Sequence, residues 1–90
     1  MAFSYSDKNF TVIGNLCFVH ILIHSKDEIY DIPQAIVDRM ILKQFKCIYW
    51  SYSDEGDSFG MATINSGSIS FEAFYDNGYV MFFFPIDSNK

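Results

Sequence analysis

The sequence has few basic residues, few prolines and no long hydrophobic run. Six Lys and Arg residues stand against eleven Asp and Glu residues, which gives a formal net charge of -5 in 90 residues. This balance disfavours nucleic acid as a partner, because neutralising phosphates supplies most of the affinity for such a partner. The longest uncharged apolar run, Leu16 to Ile23, is far below the roughly 20 residues of a membrane helix. We expect a chain that is soluble when expressed alone, without membrane insertion.

Cysteine and histidine are also scarce, which limits covalent and metal chemistry. Cys17 and Cys47 are embedded in apolar, strand-like sequence, which is typical of buried free thiols, although a disulfide between them is the alternative. His20 and His24 would lie about 13 Å apart on a strand, too far for one ion. An alternative is a metal site formed by three His20 side chains, one from each of three copies of the chain around a threefold axis. A hydrogen-bonded histidine is the simpler interpretation, so we expect no metal and no cofactor.

What the sequence does have is aromatic residues in alternating patterns. Half of the chain is apolar and 19% is aromatic. Runs of five to eight residues are separated by Gly with Asp, Asn or Ser, which predicts a meander of about six strands. We expect one mostly β domain over residues 1–90. Residues 25–32 and the polar stretch "SDEGDSFG" are predicted loops, and a short helix or helical turn is predicted near residues 34–43 after Pro33.

Two of these runs are apolar on both faces, so packing within a single chain would leave one apolar face of each strand exposed to water. "FTVIGNLCFVHILI" and "YVMFFFPI" offer no polar side to water. Packing two sheets together buries one side of each strand, so something else must cover the other side. Further copies of the chain around a closed symmetry axis would do so. The predicted interface between copies consists of Phe18, His20, Leu22, Met81 and Phe83.

Three stretches, "FTVIGNLCFVHI", "IYDIPQAIVDRM" and "GMATINSGSIS", follow one another along the chain between about Lys8 and Tyr75. In these stretches the chain resembles the C-terminal head domains of tailed-phage tail fibres and receptor-binding proteins. It implies an antiparallel β-sandwich that assembles as a homotrimer at the tail tip of the virion and contacts host-surface glycans or receptors. The Ile-Pro element lacks the arginine-proline pair that normally follows it in the family, which predicts a more helical segment here.

Aromatic residues beside acidic turns are the candidate ligand-binding residues. Sugar recognition needs a flat aromatic face together with carboxylate or amide groups. Two predicted loops offer this pairing, and packing of the aromatic rings within the sandwich or the trimer is the alternative. The candidates are Trp50, Tyr52, Asp54 and Asp57 at one loop, and Tyr75, Asn77 and Tyr79 at the other.

The sequence offers no catalytic constellation. No serine lies in a G-x-S-x-G motif, and neither histidine follows an arrangement that would make it a base. We therefore expect a non-enzymatic protein. The first hypothesis is a trimeric host-surface binding head of a phage tail fibre. The alternative is a small acidic inhibitor or immunity-type protein that blocks a basic protein partner by electrostatic steering.

Overall fold

The backbone forms short antiparallel strands around one helical turn. A computed structural model describes residues 3–24, 28–71 and 78–89. These residues form seven strands and one helix, in the order β1 (Phe10–Ile13), β2 (Leu16–Ile23), β3 (Ile29–Asp31), α1 (Gln34–Val37), β4 (Gln44–Ser53), β5 (Gly56–Asn65), β6 (Ser68–Phe71) and β7 (Gly78–Pro85).

All seven strands belong to one antiparallel sheet, curled as a half-barrel, with the order β1-β2-β7-β4-β5-β6-β3. Two of its tight turns use the residues that the sequence suggests. Gly14 leads the β1–β2 turn with a φ of 60°, and Ser66 and Gly67 form the β5–β6 turn with φ values of 51° and 94°. Positive φ at these positions gives hairpin turns a twist that matches the flanking strands.

The prediction of a mostly β, antiparallel fold is confirmed, but the structure has one sheet of seven strands where two packed sheets were expected. β7 pairs with β2 over its whole length, and β4 pairs with β5 in the same way. β4 and β7 pair with each other only between Trp50–Tyr52 and Tyr79–Met81. Beyond these residues the two strands diverge, so the sheet has two arms that curl around a common core.

The concave, inner face of the sheet forms the core. Burial alternates strictly along β7, where Val80, Phe82 and Phe84 are buried and the residues between them are exposed. Rings from both arms meet in this core, since Phe84 lies 5.8 Å from Phe45 of β4 by ring centroids. Phe82 lies 6.0 Å from Phe71 of β6. The two arms thus bury their inner faces against each other, as two packed sheets would.

The segment after β3 covers the open side of this core. Ile32, Ile36 and Met40 are buried in the same cluster as the inner-face strand residues. A bridge between Met40 and Ile86 fastens the segment to the end of β7. The helix is shorter than the predicted span, because only Gln34–Val37 is helical and the residues that follow form turns and bends up to β4.

Two predicted loops are wrong in part, since both contribute to strands. Residues 29–31, inside the expected loop of residues 25–32, pair with β6 as β3. In "SDEGDSFG" only Asp54 and Glu55 form a turn, and Gly56 to Phe59 continue the ladder opposite Ser53 to Trp50. Polar composition suggested loops, but cross-strand pairing along the edge and at a hairpin end accommodates polar side chains.

In the described residues, no helix combines the length and the apolar character required to cross a membrane.

Ile36 provides a test of this covering role. Its side chain is fully buried, whereas Ile41 in the same segment is 60% exposed. We expect Ile36→Ala to lower the free energy of unfolding by about 2–5 kcal/mol, because a buried side chain is lost and a cavity remains. Ile41→Ala is the matched control and should change it by less than about 0.5 kcal/mol. Denaturant unfolding measures both variants, and equal losses would contradict the covering role.

Candidate functional site

The convex side of the sheet, here called the outer face, carries the candidate site. Its side chains are those that alternate with the core residues along the four central strands. Large apolar residues dominate it, and the strands place them in register across the sheet. The outer face consists of Leu16, Phe18, His20 and Leu22 of β2, Tyr79, Met81 and Phe83 of β7, Ile48, Trp50 and Tyr52 of β4, and Asp57, Phe59 and Met61 of β5.

Four rings form a continuous row on one end of the outer face. His20 stacks on Tyr79 with ring centroids 4.8 Å apart and planes within 19°. Tyr79 lies 5.4 Å from Tyr52, which stacks on Trp50 at 4.5 Å. The row crosses from β2 through β7 to β4, and we call it the aromatic row. Near-parallel rings at these distances contribute stabilisation beyond simple burial.

Polar groups fix the two ends of the aromatic row. The His20 Nε2 atom lies 2.7 Å from the Tyr52 hydroxyl, within hydrogen-bond distance. The Trp50 Nε1–H donates to a carboxylate oxygen of Asp57 at 3.1 Å. The hydrogen bond to Asp57 therefore fixes the orientation of the Trp50 ring, while 37% of this side chain remains exposed. This combination of an exposed ring and an adjacent carboxylate can recognise a sugar or a cationic group.

The structure brings together most of the predicted ligand-binding residues. Trp50, Tyr52, Asp57 and Tyr79 lie side by side, because β4 and β7 pair at this point. Asp54 is exposed in the turn that connects β4 and β5, next to these residues. The two remaining candidates, Tyr75 and Asn77, lie outside the described residues.

The other end of the outer face is apolar and more exposed. Phe18 and Phe83 are paired across β2 and β7 with ring centroids 5.6 Å apart. Across the divergence of β4 and β7, Ile48 and Phe59 are 67% and 66% exposed. A groove of about 640 Å³ lies where β4 and β7 diverge, with Phe18 and Phe83 on one side and Ile48 and Phe59 on the other. Phe18, Phe83 and Ile48 line this groove, and Met61 lies opposite Ile48 in the register. We call these four residues the apolar end.

The five predicted interface residues all lie on the outer face, in opposed positions of β2 and β7. Phe18 faces Phe83, and His20 faces Met81. Sequence reasoning did not include Ile48 and Met61, which extend the same surface on β4 and β5. Their signal was present, because Ile48 alternates with Trp50 and Tyr52 along one strand. The link between His20 and Tyr52, 32 residues apart, had no signal in the sequence.

The charged groups are distributed unevenly around the outer face. Asp54, Glu55 and Asp57 lie at the hairpin beside the aromatic row. Lys8, which precedes β1, borders a cavity of about 400 Å³ together with His20, His24 and Tyr79. The apolar end itself consists of apolar side chains, but Lys8 also lines its groove, and Lys46 lies on the same side of β4 as Ile48. Enrichment in aromatic residues and Met is typical of a protein interface core.

The two thiols lie on the core side and are free. Burial raises the pKa of Cys17 to about 12, with a smaller contribution from the negative charge of Asp7. Burial likewise raises the pKa of Cys47 to about 11. Within residues 3–24, 28–71 and 78–89, no three His, Cys, Asp or Glu side chains are grouped so that they could hold a metal ion.

Compared with protein-family models, with curated proteins and with solved structures, the chain matches none. The interpretation of the outer face therefore depends on its own geometry.

The raised thiol pKa values predict slow alkylation. The thiolate is the reactive form, so at pH 8 both cysteines should react with iodoacetamide far more slowly than a free cysteine of pKa about 8.5. The rate in the folded chain should rise about tenfold per pH unit up to at least pH 10. Mass spectrometry of timed samples measures this rate, with the urea-unfolded chain as the control. Fast labelling of the folded chain at pH 8 would contradict the assigned burial.

Proposed function

We propose that this chain is a non-enzymatic binding module that works as an assembly of identical copies. The observation that carries this proposal is the exposed, contiguous apolar outer face, which the chain's own helix and described connecting segments do not cover. Phe83 is 57% exposed and Ile48 is 67% exposed, although both lie in the central strands of the sheet. An exposed apolar patch of this kind marks a surface that binds another protein, and identical copies are the simplest source of one.

The edge strands of the sheet are poorly suited to pairing with another copy, which favours assembly through the outer face. β1 is flanked by the preceding segment, in which Ser6 bridges to Thr11 and the Tyr5 carbonyl accepts a hydrogen bond from the Val12 N–H. β3 at the opposite edge has only three residues. Short or covered edge strands discourage strand addition. Copies of the chain therefore meet through side chains of the outer face.

The two ends of the outer face suit different partners. The apolar end consists of apolar side chains and fits a second copy. Asp57 lies beside the Trp50 end of the aromatic row, and the exposed Asp54 lies in the adjacent hairpin turn. Rings next to carboxylates fit a polar ligand with an apolar face, such as a pyranose ring. We propose that copies meet at the apolar end and that the aromatic row binds a glycan or receptor of a host-cell surface.

A phage tail fibre is the biological setting that we propose for this module. Two of the three sequence stretches that resemble tail-fibre heads fold as hairpins, one forming β1–β2 and the other β5–β6. The third stretch contains the helical turn over the core. These hairpins and this helical turn are compatible with the proposed setting. The homotrimer and the position at the tail tip of the virion follow from the resemblance.

Phe83 provides a test of the interface. At pH 7.5 we expect the wild-type chain to sediment as three copies of the 10.4 kDa chain. Phe83→Glu should lower the association constant by at least about a hundredfold, because it places an unpaired charge in an apolar interface. Ile41→Glu is the matched control, since Ile41 is 60% exposed but belongs to the segment between α1 and β4, not to a strand of the outer face. Sedimentation velocity over a concentration series measures all three proteins. A wild-type monomer at every concentration would refute the assembly.

Trp50 provides a test of the ligand site. We expect Trp50→Ala to weaken glycan binding by about tenfold or more, because the stacking surface is lost. Asp57→Asn should weaken binding less, since the amide oxygen still accepts a hydrogen bond. A glycan array identifies the ligand, and titration of that glycan gives the affinities, with Ile41→Ala as the control. Each variant must first sediment like the wild type. Unchanged binding by Trp50→Ala would place the ligand elsewhere.

The inhibitor hypothesis makes a different prediction for the same samples. A small acidic inhibitor should be a monomer or dimer that binds a basic protein through Asp54, Glu55 and Asp57. Sedimentation of the chain with a basic protein such as lysozyme, at low and at high salt, provides an initial comparison.

A further inference from the structure

The groove of the apolar end has the size and the lining of a small-molecule site. Its volume of about 640 Å³ lies within the range of about 300–1,000 Å³ that such sites usually have. Apolar and aromatic side chains supply most of its lining. The polar side chains Lys8, Asn9 and Thr11 line it together at the β1 side, with His20 beside them on β2. A mostly apolar lining with a few polar groups at one place is typical of a ligand site.

The groove is long, because it crosses five neighbouring strands. Thr11 of β1 lies at one side and Phe59 of β5 lies at the other, with β2, β7 and β4 between them. Four spacings between neighbouring strands, of about 4.8 Å each, amount to roughly 19 Å. An elongated, unbranched ligand therefore fits the groove better than a compact one.

The groove also extends below the exposed side chains of the outer face. β4 and β7 do not pair beyond Trp50 and Met81, so the sheet is open at this point. The core residues Val19, Tyr49 and Phe82 line the groove together with the outer-face side chains. A ligand in the groove is thus recessed, and its presence is compatible with contact between copies over the same end of the face.

We propose that this groove binds a long-chain fatty acid, with the acyl chain against the apolar lining and the carboxylate at Lys8. The ligand is the free fatty acid, dissolved as single molecules, and not a lipid within a membrane. This inference goes beyond the proposed function, because it requires neither contact between copies nor a glycan.

Large apolar side chains on both sides of the groove contact the acyl chain. Phe18 and Phe83 form one side, with their ring centroids 5.6 Å apart, and Ile48 and Phe59 form the other. More than half of the Ile48, Phe59 and Phe83 side chains is exposed. An acyl chain between them removes this apolar surface from water, and such burial is the main source of affinity for a hydrocarbon chain.

The polar groups at the β1 side select a carboxylate. Among the described residues that line the groove, Lys8 is the one with a charged side chain, and an ammonium group forms charge-assisted hydrogen bonds with a carboxylate. The Asn9 amide and the Thr11 hydroxyl are further donors beside it. The carboxylate of Asp7, the residue before Lys8, accepts hydrogen bonds from the Tyr5 hydroxyl and from two backbone N–H groups of its own turn.

The β5 side of the groove disfavours a carboxylate, which gives the fatty acid one orientation. Phe59 lies two residues from Asp57 on the same side of β5, and the Asp57 carboxylate accepts a hydrogen bond from the Trp50 indole. A second negative charge at this side would be repelled by Asp57. The carboxylate therefore lies at Lys8, and the methyl end of the acyl chain points towards Phe59.

The experiment is a titration of the full chain with dodecanoate, kept below the concentration at which dodecanoate forms micelles. Trp50 is the only tryptophan of the chain and lines the groove, so its fluorescence reports on an occupied site. Isothermal titration calorimetry gives the stoichiometry. We expect saturable binding of one dodecanoate per chain. Dodecan-1-ol is the matched probe without a charge and should also bind.

Two variants locate the two parts of the ligand. Lys8→Gln should weaken dodecanoate binding by about tenfold and leave dodecan-1-ol binding unchanged, because only the carboxylate needs the ammonium group. Lys46→Gln is its control, since Lys46 is exposed on β4 but does not line the groove. Ile48→Asp should weaken the binding of both probes by at least about tenfold, with Ile41→Asp as its control. Circular dichroism checks that every variant is folded.

Sedimentation velocity of the same samples separates this inference from the proposed function. Absence of saturable dodecanoate binding, at chain concentrations below the association midpoint, would overturn the inference and leave the assembly of copies standing. Full binding by Ile48→Asp would show that the groove is not the site. A Lys8→Gln variant that binds dodecanoate like the wild type, or that loses both probes equally, would overturn the assigned place of the carboxylate. Binding by a chain that is a monomer at every concentration would support the inference while it refutes the assembly.

Discussion

The structure depends on one constraint: a single curled sheet has two faces, and this chain has apolar side chains for both. The inner face is satisfied within the chain, because the two arms of the sheet and the segment around Ile36 form one buried core there. The outer face has no such cover from the described residues. Small domains bury a smaller share of their surface than large ones. The outer face is therefore the surface that our proposal assigns to a partner.

The divergence of β4 and β7 connects the core to the outer face. The two strands pair over three residues each and then separate. On the concave side this separation allows Phe45 and Phe84 to meet, which closes the core. On the convex side it opens the groove of the apolar end, while the paired part of the strands aligns Tyr79, Tyr52 and Trp50 in the aromatic row. One feature of the pairing thus produces both ends of the proposed binding surface.

The sequence predicts the strands well and their arrangement less well. Alternation in "ISFEAFY" and double-faced runs such as "YVMFFFPI" are local signals, and the turns at Gly14 and Gly67 follow from local backbone chemistry. Whether seven strands form one sheet or two depends on where β4 and β7 stop pairing, which is set by contacts among residues distant in the chain. The candidate site likewise combines residues that local sequence predicts with a contact that it does not predict. Trp50, Tyr52 and Asp57 were found because they are close in sequence, whereas the contact of His20 with Tyr52 arises only when β7 inserts between β2 and β4.

The central claim is that neighbouring copies cover the outer face, and hydroxyl-radical footprinting tests it directly because it reports on individual side chains. The chain is labelled at concentrations well below and well above its association midpoint, and mass spectrometry locates the oxidised residues. The account predicts that Phe18, Met81 and Phe83 are protected at high concentration, while the exposed Ile41 and Leu42 are labelled equally in both samples. Equal labelling of Phe18, Met81 and Phe83 at all concentrations would contradict the account, because it would show that the outer face remains open to water.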